Sequence, residues 1–139
     1  MIVSYNWLRA IAPTITDPPR RLADRLGLLG APVDEFVELG AGIGDILIAK
    51  VEEVRPHPNA DRLRLCTVDA GGDRLQVVCG APNVEAGRFY PFAPVGATMP
   101  GGMEIRKAKL RGETSEGMLC SARELGLGRD HAGLMTLAG

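Results

Sequence analysis

Lys107, Lys109 and Arg111 occupy alternate positions in the segment Arg106-Lys107-Ala108-Lys109-Leu110-Arg111. In an extended chain successive side chains point to opposite faces. The three cations then share one face, and Ala108 and Leu110 turn to the other. Like charges lined up this way repel one another, and an approaching anion relieves the repulsion. A phosphate backbone is the polyanion best suited to such a row. The competing reading is a solvated edge strand whose lysines deter edge-to-edge pairing. That reading explains Lys107 and Lys109. It explains less well the small-residue loop that follows, Gly112-Glu113-Thr114-Ser115-Glu116-Gly117-Met118-Leu119-Cys120-Ser121.

Other chemistry-bearing residues are few. Cys66, Cys79 and Cys120 are odd in number and widely spaced, with no Cys-x-x-Cys pair, so the spacing does not suggest a zinc site. Each sits among apolar or small residues, which points to buried reduced thiols. A catalytic cysteine would need His57 or His131 as its base. No spacing pairs them, and His131 lies in a polar turn. Gly40-Ala41-Gly42-Ile43-Gly44 lacks the Gly-Lys-Ser/Thr of a phosphate loop and fails the dinucleotide spacing. It reads as a linker.

The elements that must position these residues follow from pattern. Residues 4–11 suit a short helix carrying Trp7, Leu8 and Ile11. Asp17-Pro18 reads as an N-cap with proline at the first helical position, leading a helix striped by Leu22, Leu26 and Leu29. Gly30 and Pro32 end it, and residues 33–39 look like a strand. From Asp45 onward the texture is short strands and frequent turns. Residues 46–54, 63–69, 75–79, 88–92, 105–110 and 134–137 read as strands, with a hairpin turn at Ala70-Gly71-Gly72-Asp73 and a helical turn at 122–125. Many short strands in roughly 95 residues point to a small barrel or sandwich. His57 lies between Pro56 and Pro58, a stiff corner flanked by Asn59 and Asp61, which favour Asx turns.

The chain has 139 residues, a formal net charge of −1, 45% hydrophobic and 24% charged residues. This is ordinary globular composition. No run approaches the ~20 apolar residues of a membrane helix. Nothing at the start resembles a secretory signal, so a cytoplasmic location is expected. With no global basic field, attraction of a nucleic acid must come from local patches.

Three motifs, His57-Pro58-Asn59-Ala60-Asp61-Arg62-Leu63, Val78-Cys79-Gly80-Ala81-Pro82-Asn83-Val84 and the 107–121 stretch, together resemble the tRNA-binding domain of the EMAP II type. The opening Ser4-Tyr5-Asn6-Trp7-Leu8 and the Leu-rich helix narrow the likeness: the chain resembles the N-terminal end of the beta subunit of bacterial phenylalanyl-tRNA synthetases. A free-standing tRNA-binding protein and the C-terminal appendix of methionyl-tRNA synthetase also carry this barrel, but without that start. The resemblance implies a mainly β fold, a five-stranded OB-fold barrel over residues 41–139, preceded by a small, partial α+β N-terminal segment over 1–40.

It further implies a non-catalytic tRNA-binding module that meets RNA backbone and shape. A docking module for subunit assembly, with little RNA affinity, is the alternative. The RNA-binding residues it suggests are Asn59, Arg62, Asn83, Lys107, Lys109, Arg111, Ser115, Met118 and Ser121. For Asn83, capping a turn is the plainer role. In the family, phenylalanine is joined to tRNA with ATP and magnesium in an α2β2 assembly whose active site lies on the alpha subunit. No catalytic residue, metal or cofactor is expected here; tRNA and the alpha subunit are the implied partners. The family completes the N-terminal domain with chain beyond the barrel. The Leu22, Leu26, Leu29 stripe is therefore expected to pack on the barrel, self-associate or stay mobile. Scarce aromatics leave few rings for base stacking.

Overall fold

The computed structural model describes residues 1–138. Its contacts divide the chain into two units, Met1–Glu38 and Leu39–Gly139. The first holds two helices, α1 (Tyr5–Ile11) and α2 (Pro19–Leu28). Pro18 takes the N-cap place and Pro19 begins α2, so the helix starts one residue later than the Asp17-Pro18 pattern suggested. Asp17 still serves this end. Its carboxylate meets Arg21 and Arg25, and its carbonyl accepts the Tyr5 hydroxyl at 2.7 Å. Arg20 lies over the Phe36 ring, 4.7 Å from its centroid. Neither helix buries a residue: Leu22 and Leu26 are half-buried, and Leu29 is exposed. Residues 33–39 form no strand, which corrects the α+β expectation. An alternating segment becomes a strand only beside a partner, and the unit offers none.

The second unit is the expected mainly β barrel. β1 (Leu47–His57), β2 (Ala60–Asp69), β3 (Arg74–Cys79), β4 (Phe89–Pro94) and β7 (Gly117–Leu119) form one antiparallel sheet in the order β3-β2-β1-β4-β7. β5 (Ala108–Leu110) and β6 (Glu113–Ser115) form a separate hairpin. β1 serves two partners. Its first residues pair with β4 and the rest with β2, and a bulge between Val51 and Glu53 bends it between them.

The inward faces enclose Val51, Val68, Val77, Tyr90 and Phe92, all with no exposed surface. Each such apolar side chain contributes roughly 1.5–3 kcal/mol by leaving water. The Tyr90 hydroxyl stays satisfied, donating to the Asn83 carbonyl at 2.9 Å and accepting the Glu85 amide at 3.0 Å. A second cluster gathers Ala93, Ala97, Met99, Ile105, Cys120 and Leu125, with Ile43 and Ile46 packed against it. The glycine-rich segment is thus part of the barrel's base rather than a free linker. All three cysteines are buried and unbridged.

Closure is made by side chains as much as by ladder. β3 faces β6 and β7 across a seam. The Glu116 amide donates to the Gln76 carbonyl at 2.8 Å. The Gln76 side-chain amide donates to the Thr114 carbonyl at 2.9 Å and to Glu113 at 3.2 Å. The Val78 amide donates to Ser115 Oγ at 3.0 Å, and that hydroxyl donates to the Gly117 carbonyl at 2.9 Å. Gly117 itself is obligatory. Its φ is +138°, and a Cβ there would lie 2.7 Å from the Ala93 carbonyl oxygen and collide with the buried Phe92 ring.

Ser115→Ala tests the seam. It leaves the Val78 amide without its acceptor and should cost about 1–3 kcal/mol in urea unfolding. A change within ~0.5 kcal/mol would show that other contacts close the barrel.

Candidate nucleic-acid interface

The basic segment does not form the continuous strand its alternation suggested. Ile105 is buried, donating its amide to the Ala97 carbonyl and accepting the Gly96 amide, both at 2.8 Å. β5 therefore begins only at Ala108. Ala108 and Leu110 are exposed, so the hairpin does not use them as a core-facing side. Lys107 lies outside the strand, its Nζ 2.6 Å from Glu116 Oε1. That ammonium holds the Glu116 carboxyl below the usual carboxylate range. Arg106 is paired with Glu104 at 3.2 Å. The expected row of three cations is thereby corrected to two, Lys109 on the strand and Arg111 at the tip.

Leu110 pairs with Glu113, leaving Arg111-Gly112 as a two-residue turn. The φ angles are +52° and +94°, left-handed at both positions, the pattern of a type I′ hairpin. Such turns favour Asn-Gly. Arginine in this conformation carries roughly 1–2 kcal/mol of steric cost.

The tip is anchored to the β1–β2 turn by His57. Its Nδ1 accepts the Asn59 amide at 3.0 Å. Nε2 therefore carries the proton and donates to the Leu110 carbonyl at 3.0 Å. The Asn59 side-chain amide donates to the Arg111 carbonyl at 3.2 Å. Residues far apart in sequence thus meet: Asn59, Arg62 and Arg111 line one groove of about 470 Å³. Asp61 also lines it, but no carboxylate lies within 4.0 Å of Arg62, Lys109 or Arg111 among the described residues.

The remaining expected residues lie elsewhere. Ser115 is buried in the seam, its hydroxyl fully engaged. Asn83 clasps the backbone of Leu134: Oδ1 accepts its amide at 2.8 Å and Nδ2 donates to its carbonyl at 2.9 Å. Ser121 is buried, and Glu124 Oε2 accepts both its amide at 2.6 Å and its hydroxyl at 2.8 Å. All three spend polar groups on the protein's own partners: Ser115 and Ser121 are buried with their hydroxyls hydrogen-bonded, and Asn83 is exposed with its amide engaged by Leu134. Met118 is half-buried and lines a second, larger groove of about 980 Å³ with Ser121 and the 79–82 loop. Two exposed residues of this groove were not among the expected RNA-binding residues: Arg123, which the sequence did not single out, and His131, considered there only as a possible base for a cysteine. A signal for this loop was present: Ser121-Ala122-Arg123-Glu124 has the Ser-x-x-Glu spacing of a capping box, which folds the exposed Glu124 back onto Ser121.

Cys79 reaches the same groove. The neighbouring Cys66 thiol and the Ala81 amide, 3.4 Å from Sγ, favour its thiolate and pull it below the ordinary thiol range. The same pairing and burial push Cys66 up, and burial raises Cys120 to about 12. Among the described residues no histidine ring nitrogen hydrogen-bonds any of the thiols, and both nitrogens of His57 are occupied. The cysteine–histidine alternative has no geometry behind it.

The strand order β3-β2-β1-β4-β7, with β3 meeting β7 across the seam, is that of an OB-type barrel. The family model described as "Putative tRNA binding domain" matches residues 46–139, and the chain belongs to that family. It is 50% identical over 138 residues to the phenylalanine–tRNA ligase beta subunit of Nitratidesulfovibrio vulgaris, covering 99% of this chain and 17% of that protein. To the corresponding subunit of Bordetella parapertussis it is 51% identical over 135 residues, covering 95% and 16%. The chain thus spans about one-sixth of the length of these relatives. A solved structure, the C-terminal domain of Plasmodium vivax p43, aligns with a TM-score of 0.49 at 22% identity over 70% of this chain and 55% of that one.

Two outcomes test the geometry. Arg111→Gly removes the left-handed strain and should stabilise the fold by about 1 kcal/mol while weakening RNA binding; lost stability would show that the guanidinium is structural. Alkylation by iodoacetamide, followed by peptide mass spectrometry across pH, should reach Cys79 at lower pH than Cys66 or Cys120. Simultaneous reaction of all three would show that unfolding governs access.

Proposed function

We propose that this chain is a tRNA-binding module that grips the RNA through its backbone and overall shape. The observation that carries this reading is the groove where Arg62, Arg111 and Asn59 converge: among the described residues no carboxylate lies within 4.0 Å of either guanidinium, although Asp61 shares the groove, and Lys109 adds an unpaired ammonium on the same hairpin as Arg111. Guanidinium forks and a flexible ammonium suit phosphate oxygens, and contacts of this kind position an RNA without reading its sequence. Membership of the tRNA-binding family supports the choice of ligand. The barrel's Tyr90 and Phe92 are fully buried and Phe89 is half-buried, which favours phosphates and riboses over broad base stacking.

Within a phenylalanine–tRNA ligase beta subunit, such a module holds tRNA while aminoacylation with ATP and magnesium proceeds on the alpha subunit. The residues of this barrel take no part in that chemistry. A docking module is the second reading, and the net charge of −1 favours it.

Titration of unmodified tRNA at about 50 and 200 mM salt separates the two. Salt-sensitive binding is expected, with Lys109→Ala and Arg111→Ala each weakening it and lowering the salt slope by at most about one. Lys107→Ala should change the slope less, since Glu116 already holds that ammonium. Absent or salt-insensitive binding would overturn the proposal in favour of docking.

A further inference from the structure

The larger groove is unlike the basic one. Its apolar lining comes from Met103, Met118 and Leu119, with the Cys79–Pro82 loop along one side and Arg123 and His131 among its exposed residues. The loop is folded to place these two together: the Arg123 amide donates to the Asp130 carbonyl at 3.0 Å, and the Ala132 amide to Asp130 Oδ1 at 3.0 Å. Glu124 is the groove's one carboxylate among the described residues, and Ser121 occupies it through two hydrogen bonds. No carboxylate lies within 4.0 Å of Arg123 among the described residues. The groove therefore combines polarisable apolar surface, one exposed aromatic ring and one uncompensated guanidinium.

We propose that this groove seats one unpaired nucleobase of a bound RNA. Met103 and Met118 supply adaptable apolar contact, the His131 ring a stacking face, and Arg123 the cation for the adjoining phosphate. Gly80, also exposed, lines the groove and brings backbone without a side chain to its wall. A purely apolar peptide would leave Arg123 without a partner; a base carrying its phosphate satisfies both halves of the groove. The inference rests on the RNA-binding reading above and adds to it a discrimination between unpaired and paired RNA.

The test uses the whole chain with 13C-methyl-labelled methionine, whose five methyls report separate places. A single-stranded RNA pentamer should shift Met103 and Met118 and leave Met1 unmoved. A fully paired RNA duplex should not reproduce those shifts. His131→Ala and Arg123→Ala, both at exposed positions, should each weaken pentamer binding roughly five- to tenfold and duplex binding little. Met103 and Met118 unmoved by the pentamer, while tRNA still binds with salt sensitivity, overturns the groove assignment alone. Equal shifts with the duplex also overturn it, since a base inserted in the groove must be unpaired. Failure of every RNA to bind overturns both proposals.

Discussion

The barrel depends on one seam. A five-stranded sheet closes only if its two edge strands find each other, and here one edge, β7, is three residues long. So short a strand offers little ladder. The Val78 amide finds its acceptor in Ser115 Oγ, and the Gln76 side chain reaches over to the β6 backbone. Each such bond is worth only about 1 kcal/mol net, but an unpaired buried amide costs the full desolvation penalty. Gly117 permits the approach by having no Cβ against Phe92 and Ala93. The same seam fixes β6, and β6 fixes the hairpin that carries Lys109 and Arg111. Stability and the candidate site thus share a part: the element that presents the cations is held by the bonds that close the core.

Local pattern specified the strands whose partners are close in sequence. β2 and β3 were legible because alternating apolar residues flank Ala70-Gly71-Gly72-Asp73, a turn whose glycines adopt φ of +101° and +128° while Asp69 accepts both their amides. Those two amides also hold the Asp69 carboxyl below the usual range. The helix over α2 was legible from its leucine stripe and prolines, to within one residue. Alternation failed where a distant partner intervened. Ile105 alternates as a strand residue should, yet Gly96 and Ala97 claim its backbone and the hairpin begins three residues later. Residues 33–39 show that pattern without a neighbour makes no strand.

The candidate site was legible in residue type and less so in arrangement. Asn59, Arg62 and Arg111 were named from motifs lying about fifty residues apart. What unites them is His57, whose two ring nitrogens join the β1–β2 turn to the hairpin tip. The flanking prolines marked His57 as a stiff corner but could not show what the corner holds. Ser115, Ser121 and Asn83 carry polar groups that suit a ligand equally well in sequence. Folding spends them on Val78, Glu124 and Leu134 instead. Asn83 leaves so little room that a Cβ on Gly133 would lie 2.7 Å from its Cγ, so this clasp dictates a glycine fifty residues away.

Net charge is a poor guide to where this molecule can hold an anion. Charges on a protein surface act within about 8 Å at physiological salt, so what counts is which cations remain uncompensated and where. In the barrel, Arg55, Arg74, Arg88, Arg106 and Lys107 each lie within 4.0 Å of a carboxylate. Their fields are largely cancelled, and exposed pairs of this kind add little to stability. Of the cations left over, Arg62 and Arg111 line the smaller groove, Arg123 lines the larger one, and Lys109 lies on the hairpin strand outside both. Lys50, Arg64 and Arg129 are also without an ion pair but line neither groove. A chain of net charge −1 can therefore still present unpaired guanidinium groups in its grooves, where low-dielectric walls strengthen the field felt by an anion. At residue 111, a left-handed turn position that glycine or asparagine fills at less steric cost, the chain places a guanidinium that lines a groove.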